Sequence, residues 1–154
     1  MGGKELRLEG NGGSGASRGR SNYPSRRRPR VLVVDDEDLI GRALSRYLLK
    51  RGYEIIATNS PGTAMSLIQE EYFDVIISDV MMGPVSGIDL VRKLRNFNSE
   101  SKVMLMSGTF AWEDVSRQLG GLRLDAFLEK PFELKSLHEK LLDLTREHSQ
   151  PLRA

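Results

Sequence analysis

The chain has 154 residues, of which 39% are hydrophobic and 29% charged, and these ordinary fractions suit one domain with a buried core. It contains no cysteine, which excludes disulfides, thiolate metal sites and thiol catalysis. The net charge of +2 is divided unevenly, because residues 1–30 hold eight basic and two acidic side chains, a balance of +6 that leaves −4 for residues 31–154.

Residues 1–29 are rich in Gly, Ser and Arg and offer almost no apolar side chains to bury. Such a segment cannot offset the entropy of its own ordering, so we expect a disordered basic tail. Two interpretations stay open: a flexible leader, or a basic arm centred on Arg26-Arg27-Arg28 that contacts nucleic acid or an acidic partner. Since the excess of basic residues belongs to the tail, we expect no direct nucleic-acid contact by the core domain.

The longest apolar runs, such as 31–34 and 103–106, are far too short to span a bilayer. The N-terminus carries no hydrophobic stretch of the kind found in secretory signals. We therefore expect a cytoplasmic protein that does not associate with membranes.

From residue 30 onward, short apolar runs alternate with amphipathic segments, which predicts one folded domain over 30–147 and a C-terminal tail over 148–154. The predicted strands are 31–34, 53–58, 74–79, 103–106 and 126–128. The predicted helices are 38–51, 61–68, 87–94, 112–119 and 134–144. Continuous apolar strands joined by helices imply a parallel sheet covered on both faces, and right-handed crossovers favour a doubly wound α/β fold.

In such sheets the functional crevice lies beyond the C-terminal ends of the strands. Side chains suited to chemistry follow four of the five predicted strands; they are Asp35, Asp36 and Glu37, then Asp79, then Ser107, and finally Lys130. Because these strand ends share one edge of the sheet, we expect the side chains to converge there.

Crowded carboxylates repel one another, and a hard divalent cation relieves that repulsion. Oxygen ligands favour Mg²⁺ or Mn²⁺, and the absence of cysteine argues against zinc. A carboxylate can attack phosphorus to form an acyl phosphate, while Lys130 and the hydroxyl of Ser107 can neutralise and hydrogen-bond the transferred group. The acidic turn at 35–38 would repel a bare phosphate, which argues against a flavin- or nucleotide-binding domain.

The same residues carry a family resemblance. The motif Val-Val-Asp-Asp-Glu at 33–37, Asp-Val-Met-Met at 79–82 with Gly87 eight residues after Asp79, Ser107-Gly108 and Lys130-Pro131 resemble the receiver domain of two-component response regulators. The resemblance extends over residues 30–147. It implies a flavodoxin-like, three-layer α/β/α fold with a five-stranded parallel sheet in the order 2-1-3-4-5.

The resemblance also implies the roles of individual residues. Asp79 would accept a phosphoryl group from a sensor histidine kinase or a His-phosphotransfer protein, so that the domain catalyses only its own phosphorylation and dephosphorylation. Mg²⁺, or Mn²⁺, would be held by Asp35, Asp36, Asp79 and the backbone carbonyl of Met81. Lys130 would pair with the phosphoryl group, next to a cis peptide bond at Pro131.

The implied switch consists of Ser107, which moves onto the phosphoryl group, and Phe127, which turns inward. It would alter the surface formed by the predicted fourth helix (112–119), fifth strand (126–128) and fifth helix (134–144). A downstream protein or a second copy of the domain would bind that surface.

One departure from the family pattern motivates an alternative. The usual receiver sequence after the phosphoacceptor is Met-Pro-Gly, whereas this chain has Met-Gly-Pro at 82–84. The alternative is a pseudo-receiver, an interaction module that keeps the fold without being regulated by phosphorylation. Enzymes that turn over an aspartyl phosphate carry Asp-x-Asp, and the sequence Asp-Val-Met at 79–81 lacks the second acid.

Overall fold

The computed structural model describes residues 3–8, 10, 27–97 and 100–146. Its strands are Glu5–Leu8 (β1), Arg30–Val34 (β2), Glu54–Thr58 (β3), Val75–Asp79 (β4), Met81–Met82 (β5), Val85–Ser86 (β6), Lys102–Ser107 (β7) and Ala126–Glu129 (β8). Its helices are Asp38–Leu49 (α1), Pro61–Glu70 (α2), Gly87–Asn96 (α3), Trp112–Leu119 (α4) and Leu134–Arg146 (α5).

The apolar runs of the sequence form the central strands of a six-stranded sheet in the order β1-β3-β2-β4-β7-β8. The five strands β3, β2, β4, β7 and β8 are parallel to one another. Without β1, this is the predicted order 2-1-3-4-5, so the predicted fold class is confirmed. The strands β2 and β4 lie in the middle and are buried on both faces, which explains why they read as continuous apolar runs.

Side chains alternate between two cores because successive residues of a strand point to opposite faces. On one face Leu32 and Ile76 pack in the same core as apolar residues of α2, α3 and α4. On the other face Val33 and Ile77 pack with the apolar sides of α1 and α5. The result is the predicted three-layer arrangement, with the C-terminal ends of the strands left accessible at one edge.

Two serine caps fix the helices that begin at this edge. The hydroxyl of Ser60 accepts a hydrogen bond from the backbone N–H of Thr63 at the start of α2. Ser86 and Asp89 form a reciprocal capping box at the start of α3. These caps satisfy backbone donors that the first turn of a helix leaves unpaired.

The prediction of a disordered segment over 1–29 is wrong for Glu5–Leu8, which forms β1. This strand pairs antiparallel with β3, with Glu5 opposite Thr58 and Leu8 opposite Ile55. Arg7 donates to the Glu71 carboxylate at 2.9 Å and also contacts Glu5. The alternation of charged and leucine side chains suits an edge strand, but four residues are too short a run to indicate a strand without its partner.

The proposed basic arm is described only in part, because Arg26 and most of the segment 1–29 lie outside the described residues, as does the predicted tail at 148–154. Arg27 donates to both carboxylate oxygens of Asp74, at 3.2 and 3.3 Å. At least this arginine therefore binds an acid of its own domain.

No helix within the described part of the chain is long and apolar enough to cross a membrane.

Candidate functional site

Three carboxylates meet at the C-terminal edge of the sheet. Asp35 and Asp36 follow β2, and Asp79 is the last residue of the neighbouring strand β4. One carboxylate oxygen from each of the three lies within 4.8 Å of the others. Asp35 and Asp79 are buried, whereas Asp36 is exposed at the rim. The structure thus brings together three of the four acids that the sequence predicted to converge; Glu37 is exposed at the N-cap of α1 and is not part of this group.

Lys130 supplies a positive charge to this cluster. It follows β8, which is separated from β4 by β7, so its long side chain reaches across one strand end. Its Nζ donates to Asp79 Oδ2 at 3.0 Å and to Asp35 Oδ2 at 3.1 Å. The peptide bond to Pro131 is cis, as the resemblance implied.

Burial and charge act against each other at this ion pair. Burial raises the pKa of Asp35, and this effect outweighs the hydrogen bond from the Glu37 N–H and the charge of Lys130, which lower it. Burial alone would lower the pKa of Lys130, but hydrogen bonds and charges from Asp79 and Asp35 outweigh it, so its pKa is raised. Lys130 therefore stays protonated at neutral pH and balances part of the buried negative charge.

The backbone around Asp79 is fixed by several close contacts. The N–H of Met81 donates to Asp79 Oδ1 at 3.2 Å, and the N–H of Val80 donates to the Met106 carbonyl at 2.9 Å. Gly87 lies directly against this segment, since a Cβ atom there would be 2.3 Å from the Asp79 carbonyl oxygen. Only glycine fits this approach without moving the Asp79 backbone.

The loop after Asp79 contains the departure from the family pattern. The strands β5 and β6 pair Met81 with Ser86 and Met82 with Val85, so Gly83 and Pro84 form a two-residue turn. Gly83 has φ of +72°, which fits a glycine-first hairpin turn. The altered Gly-Pro order is thus accommodated in the hairpin, and the acid cluster stays assembled. That the Met81 carbonyl is a metal ligand remains a prediction.

Ser107 is buried at the end of β7, next to the Lys130 backbone. Its carbonyl accepts the Lys130 N–H at 2.7 Å. Its Oγ accepts the N–H groups of Thr109 at 3.3 Å and Phe110 at 2.8 Å, so the hydroxyl oxygen is used to fix the loop before α4. Its role as a switch residue stays a prediction.

Phe127 lies in β8, the strand that Lys130 follows. Its half-buried ring packs against the core formed with α2, α3 and α4. The centroid of its ring is 5.6 Å from that of Trp112, the first residue of α4. The sequence offered no signal for this contact, because it joins a helix and a strand that no local pattern links.

Two further functional features escaped the sequence reasoning. The N–H of Glu37 donates to Asp35 Oδ1 at 2.9 Å and orients that carboxylate. Gly87 belongs to the motif that begins at Asp79, but its contact with the Asp79 carbonyl depends on how α3 approaches β4. A glycine at the first position of a helix was the only hint of such an approach.

The donor set fits a hard divalent cation. All three candidate ligands are carboxylates, and hard ions such as Mg²⁺ prefer oxygen. The cluster therefore combines a partly shielded acid, a neighbouring ammonium group and a place for a cation, which is what neutralisation of a phosphoryl group requires.

Comparison with known proteins gives one consistent answer. Residues 31–142 match the family model of the response regulator receiver domain. Regulatory protein AtoC of Escherichia coli is 33% identical over 111 residues, which are 71% of this chain and 23% of that protein. The probable transcriptional regulatory protein TcrX of Mycobacterium tuberculosis is 32% identical over 118 residues, 75% of this chain and 49% of that protein. The chain thus spans about a quarter of the length of AtoC and about half of the length of TcrX.

Solved structures agree. The receiver domain of the Francisella response regulator 1452 is 28% identical with a TM-score of 0.72, and the match covers 79% of this chain and 99% of that one. A CheY-like receiver domain protein from Methanospirillum hungatei has a TM-score of 0.74 at 24% identity, covering 81% of this chain and all of that one, and shows the fold alone. The chain therefore belongs to the response regulator receiver domain family.

Proposed function

We propose that Asp79 is the phosphoacceptor of this receiver domain and that it takes the phosphoryl group from a sensor histidine kinase or a His-phosphotransfer protein. The observation that carries this proposal is the position of its carboxylate, within 4.8 Å of oxygens of Asp35 and Asp36 and 3.0 Å from the Lys130 ammonium. Asp35 contacts Lys130 as well, at 3.1 Å, but its side chain is fully buried, whereas the side chain of Asp79 is 9% exposed and can be reached by a phosphoryl donor.

The carboxylates of Asp35, Asp36 and Asp79, with the backbone carbonyl of Met81, would hold Mg²⁺ or Mn²⁺. When bound, such an ion neutralises charge on the carboxylates and on the phosphoryl oxygens, which the acids would otherwise repel. The exposure of Asp36 leaves the cluster open to solvent, so an ion can enter without opening of the fold.

In the transfer step a carboxylate oxygen of Asp79 attacks phosphorus, the bond between phosphorus and the donor imidazole breaks, and the imidazole nitrogen keeps the electron pair. Lys130 already contacts Asp79 Oδ2 and moves its hydrogen bond to a phosphoryl oxygen. The hydroxyl of Ser107 donates to another phosphoryl oxygen. Hydrolysis of the acyl phosphate by water at the same site reverses the modification, so the only chemistry of the domain is on itself.

The output is a change in the surface formed by α4, β8 and α5. Movement of the Ser107 hydroxyl and inward rotation of Phe127 would couple the phosphoryl group to this surface. Its partner is a downstream protein or a second copy of the chain. Within the described residues nothing favours the pseudo-receiver alternative, because the hairpin at 81–86 leaves the acids together.

The direct test is incubation with acetyl phosphate and Mg²⁺, followed by intact mass. We expect wild-type protein to gain one phosphoryl group, and the gain to be lost in Asp79→Asn and with chelator. Asp143→Asn, at an exposed position on α5, is the matched control and should behave like wild type. Absence of modification in the wild type, together with no binding in a Mg²⁺ titration, would instead support the pseudo-receiver.

A further inference from the structure

The contact between Trp112 and Phe127 joins α4 to β8. Their ring centroids are 5.6 Å apart with an interplanar angle of 46°, which is within the range of favourable aromatic pairs. Trp112 is 42% exposed, so one part of its indole covers the half-buried Phe127 ring and the rest faces solvent. The indole is therefore in direct contact with the ring that the proposed switch must move.

The start of α4 has no side-chain cap. Its N-cap residue, Ala111, has no side chain that could accept a capping hydrogen bond. The loop before it is fixed from the other side by Ser107, whose Oγ accepts the N–H of Phe110 at 2.8 Å and that of Thr109 at 3.3 Å. Trp112 comes two residues after Phe110, so the position of the indole depends on the Ser107 hydroxyl.

These contacts form a chain of three links. The Ser107 hydroxyl fixes the loop, the loop carries Trp112 at its end, and Trp112 covers Phe127. If the hydroxyl turns toward Asp79, the two backbone N–H groups lose their acceptor and the start of α4 is released. The link from Ser107 to Phe127 then passes through the helix terminus and not only through space vacated in the core.

We propose that Trp112 is a positioning residue that holds Phe127 in its observed half-buried arrangement, against the indole, until the Ser107 hydroxyl leaves the loop. This inference rests on the proposed function of Asp79 and assigns the regulation of that site to a residue outside the acid cluster. It also makes the indole, the single tryptophan of the sequence, a reporter of the switch.

The direction of the effect follows from population shift. A contact that is present in the observed arrangement and lost on switching opposes the switch, and an aromatic pair contributes a factor of about 2 to 10 to an equilibrium constant. Loss of the indole should therefore raise the affinity for beryllofluoride, which mimics the phosphoryl group, by about 2- to 10-fold. A residue that merely stabilised the fold would lower stability without tightening this binding.

The first experiment measures tryptophan emission during titration of the wild type with beryllofluoride and Mg²⁺, while ¹⁹F NMR reports occupancy of Asp79. We expect emission to change in proportion to occupancy. Ser107→Ala also removes a hydrogen bond to the ligand, so we expect weaker binding, and at matched occupancy an emission change that is reduced or lost. Full occupancy in the wild type with unchanged emission would overturn the inference and leave the proposed function intact, whereas no occupancy at all would refute the proposed function itself.

The second experiment compares the beryllofluoride dissociation constants of Trp112→Ala and Trp112→Phe, with folding of both checked by circular dichroism. The alanine variant should bind about 2- to 10-fold more tightly than wild type, and the phenylalanine variant, which keeps an aromatic contact, should stay close to wild type. Equal dissociation constants for all three proteins would contradict the role of the indole.

Discussion

Replacement of Gly87 by alanine tests how tightly the fold constrains Asp79. The added Cβ would lie 2.3 Å from the Asp79 carbonyl oxygen, 3.1 Å from its carbonyl carbon and 3.0 Å from Leu105 Cδ2. The first two atoms belong to the backbone of β4, which is hydrogen-bonded on both sides. A side chain could rotate away, but this backbone can give way only if α3 or the end of β4 shifts.

The magnitude follows from two opposing effects. Overpacking in a rigid site costs about 1–3 kcal/mol, and more where backbone must move. Alanine is a better helix former than glycine by about 1 kcal/mol in a helix interior, and this position is the first of α3, where the gain is smaller. We therefore expect Gly87→Ala to lower the free energy of unfolding by about 2 kcal/mol.

The displacement of the Asp79 backbone should also slow phosphorylation. A shift of the Asp79 backbone by about 1 Å is enough to slow a reaction by 10-fold or more, because the reacting atoms lose their alignment. The assay pairs urea unfolding, followed by circular dichroism, with the rate of phosphorylation by acetyl phosphate. Both quantities should fall in Gly87→Ala.

Gly41 in α1 provides the control. A Cβ atom there would meet no other atom within 4 Å, so Gly41→Ala should be neutral or stabilise by up to about 1 kcal/mol and leave phosphorylation unchanged. If Gly87→Ala matched this control in both stability and rate, the reasoning from the close contact would be refuted.

Three other predictions concern charge and the sheet edge. Lys130→Met removes the counter-charge of two buried acids and should lower the free energy of unfolding by about 3 kcal/mol without Mg²⁺. Because Mg²⁺ should restore part of this loss, it should raise the melting temperature more in the variant than in wild type; an equal rise in both proteins would contradict this. Burial, with the charge of Arg51, lowers the pKa of His138, so the unfolded chain binds its proton more readily and stability should fall as pH drops below the ordinary value of 6.5. His138→Gln should flatten that part of a pH-dependent urea series, and an unchanged slope would count against it. Deletion of residues 1–8 exposes the edge of β3 and should promote self-association, measured by light scattering. Since β1 is largely exposed, the free energy of unfolding should fall by only about 1 kcal/mol; unfolding of the truncated protein would contradict this.

Much of the fold and of the acid cluster could be predicted because both follow from local patterns. A buried parallel strand appears in the sequence as a continuous apolar run. Because the C-terminal ends of such strands meet at one edge of the sheet, the sequence predicts that Asp35, Asp79 and Lys130 are neighbours, as they are in the structure. Residue type then limits the chemistry, since carboxylates with a lysine suit a hard cation and a phosphoryl group. These steps need no knowledge of how individual side chains pack.

The remaining features depend on contacts between distant segments. The strand β1 is four residues long and becomes a strand only through pairing with β3. The contact of Trp112 with Phe127 depends on the angle at which α4 crosses β8, and the approach of Gly87 to Asp79 depends on the angle of α3. Such angles result from packing of the whole core, so no single stretch of sequence indicates them.

The measurement that tests the central claim most directly is chemical trapping of the acyl phosphate. Borohydride reduces an aspartyl phosphate to homoserine, and tandem mass spectrometry of the digested protein locates the reduced residue. After treatment with acetyl phosphate and Mg²⁺ we expect homoserine at position 79 alone, with Asp35 and Asp36 unchanged. Homoserine at either of those two acids, or at none of the three in protein that has gained a phosphoryl group, would contradict the assignment of Asp79 as the phosphoacceptor.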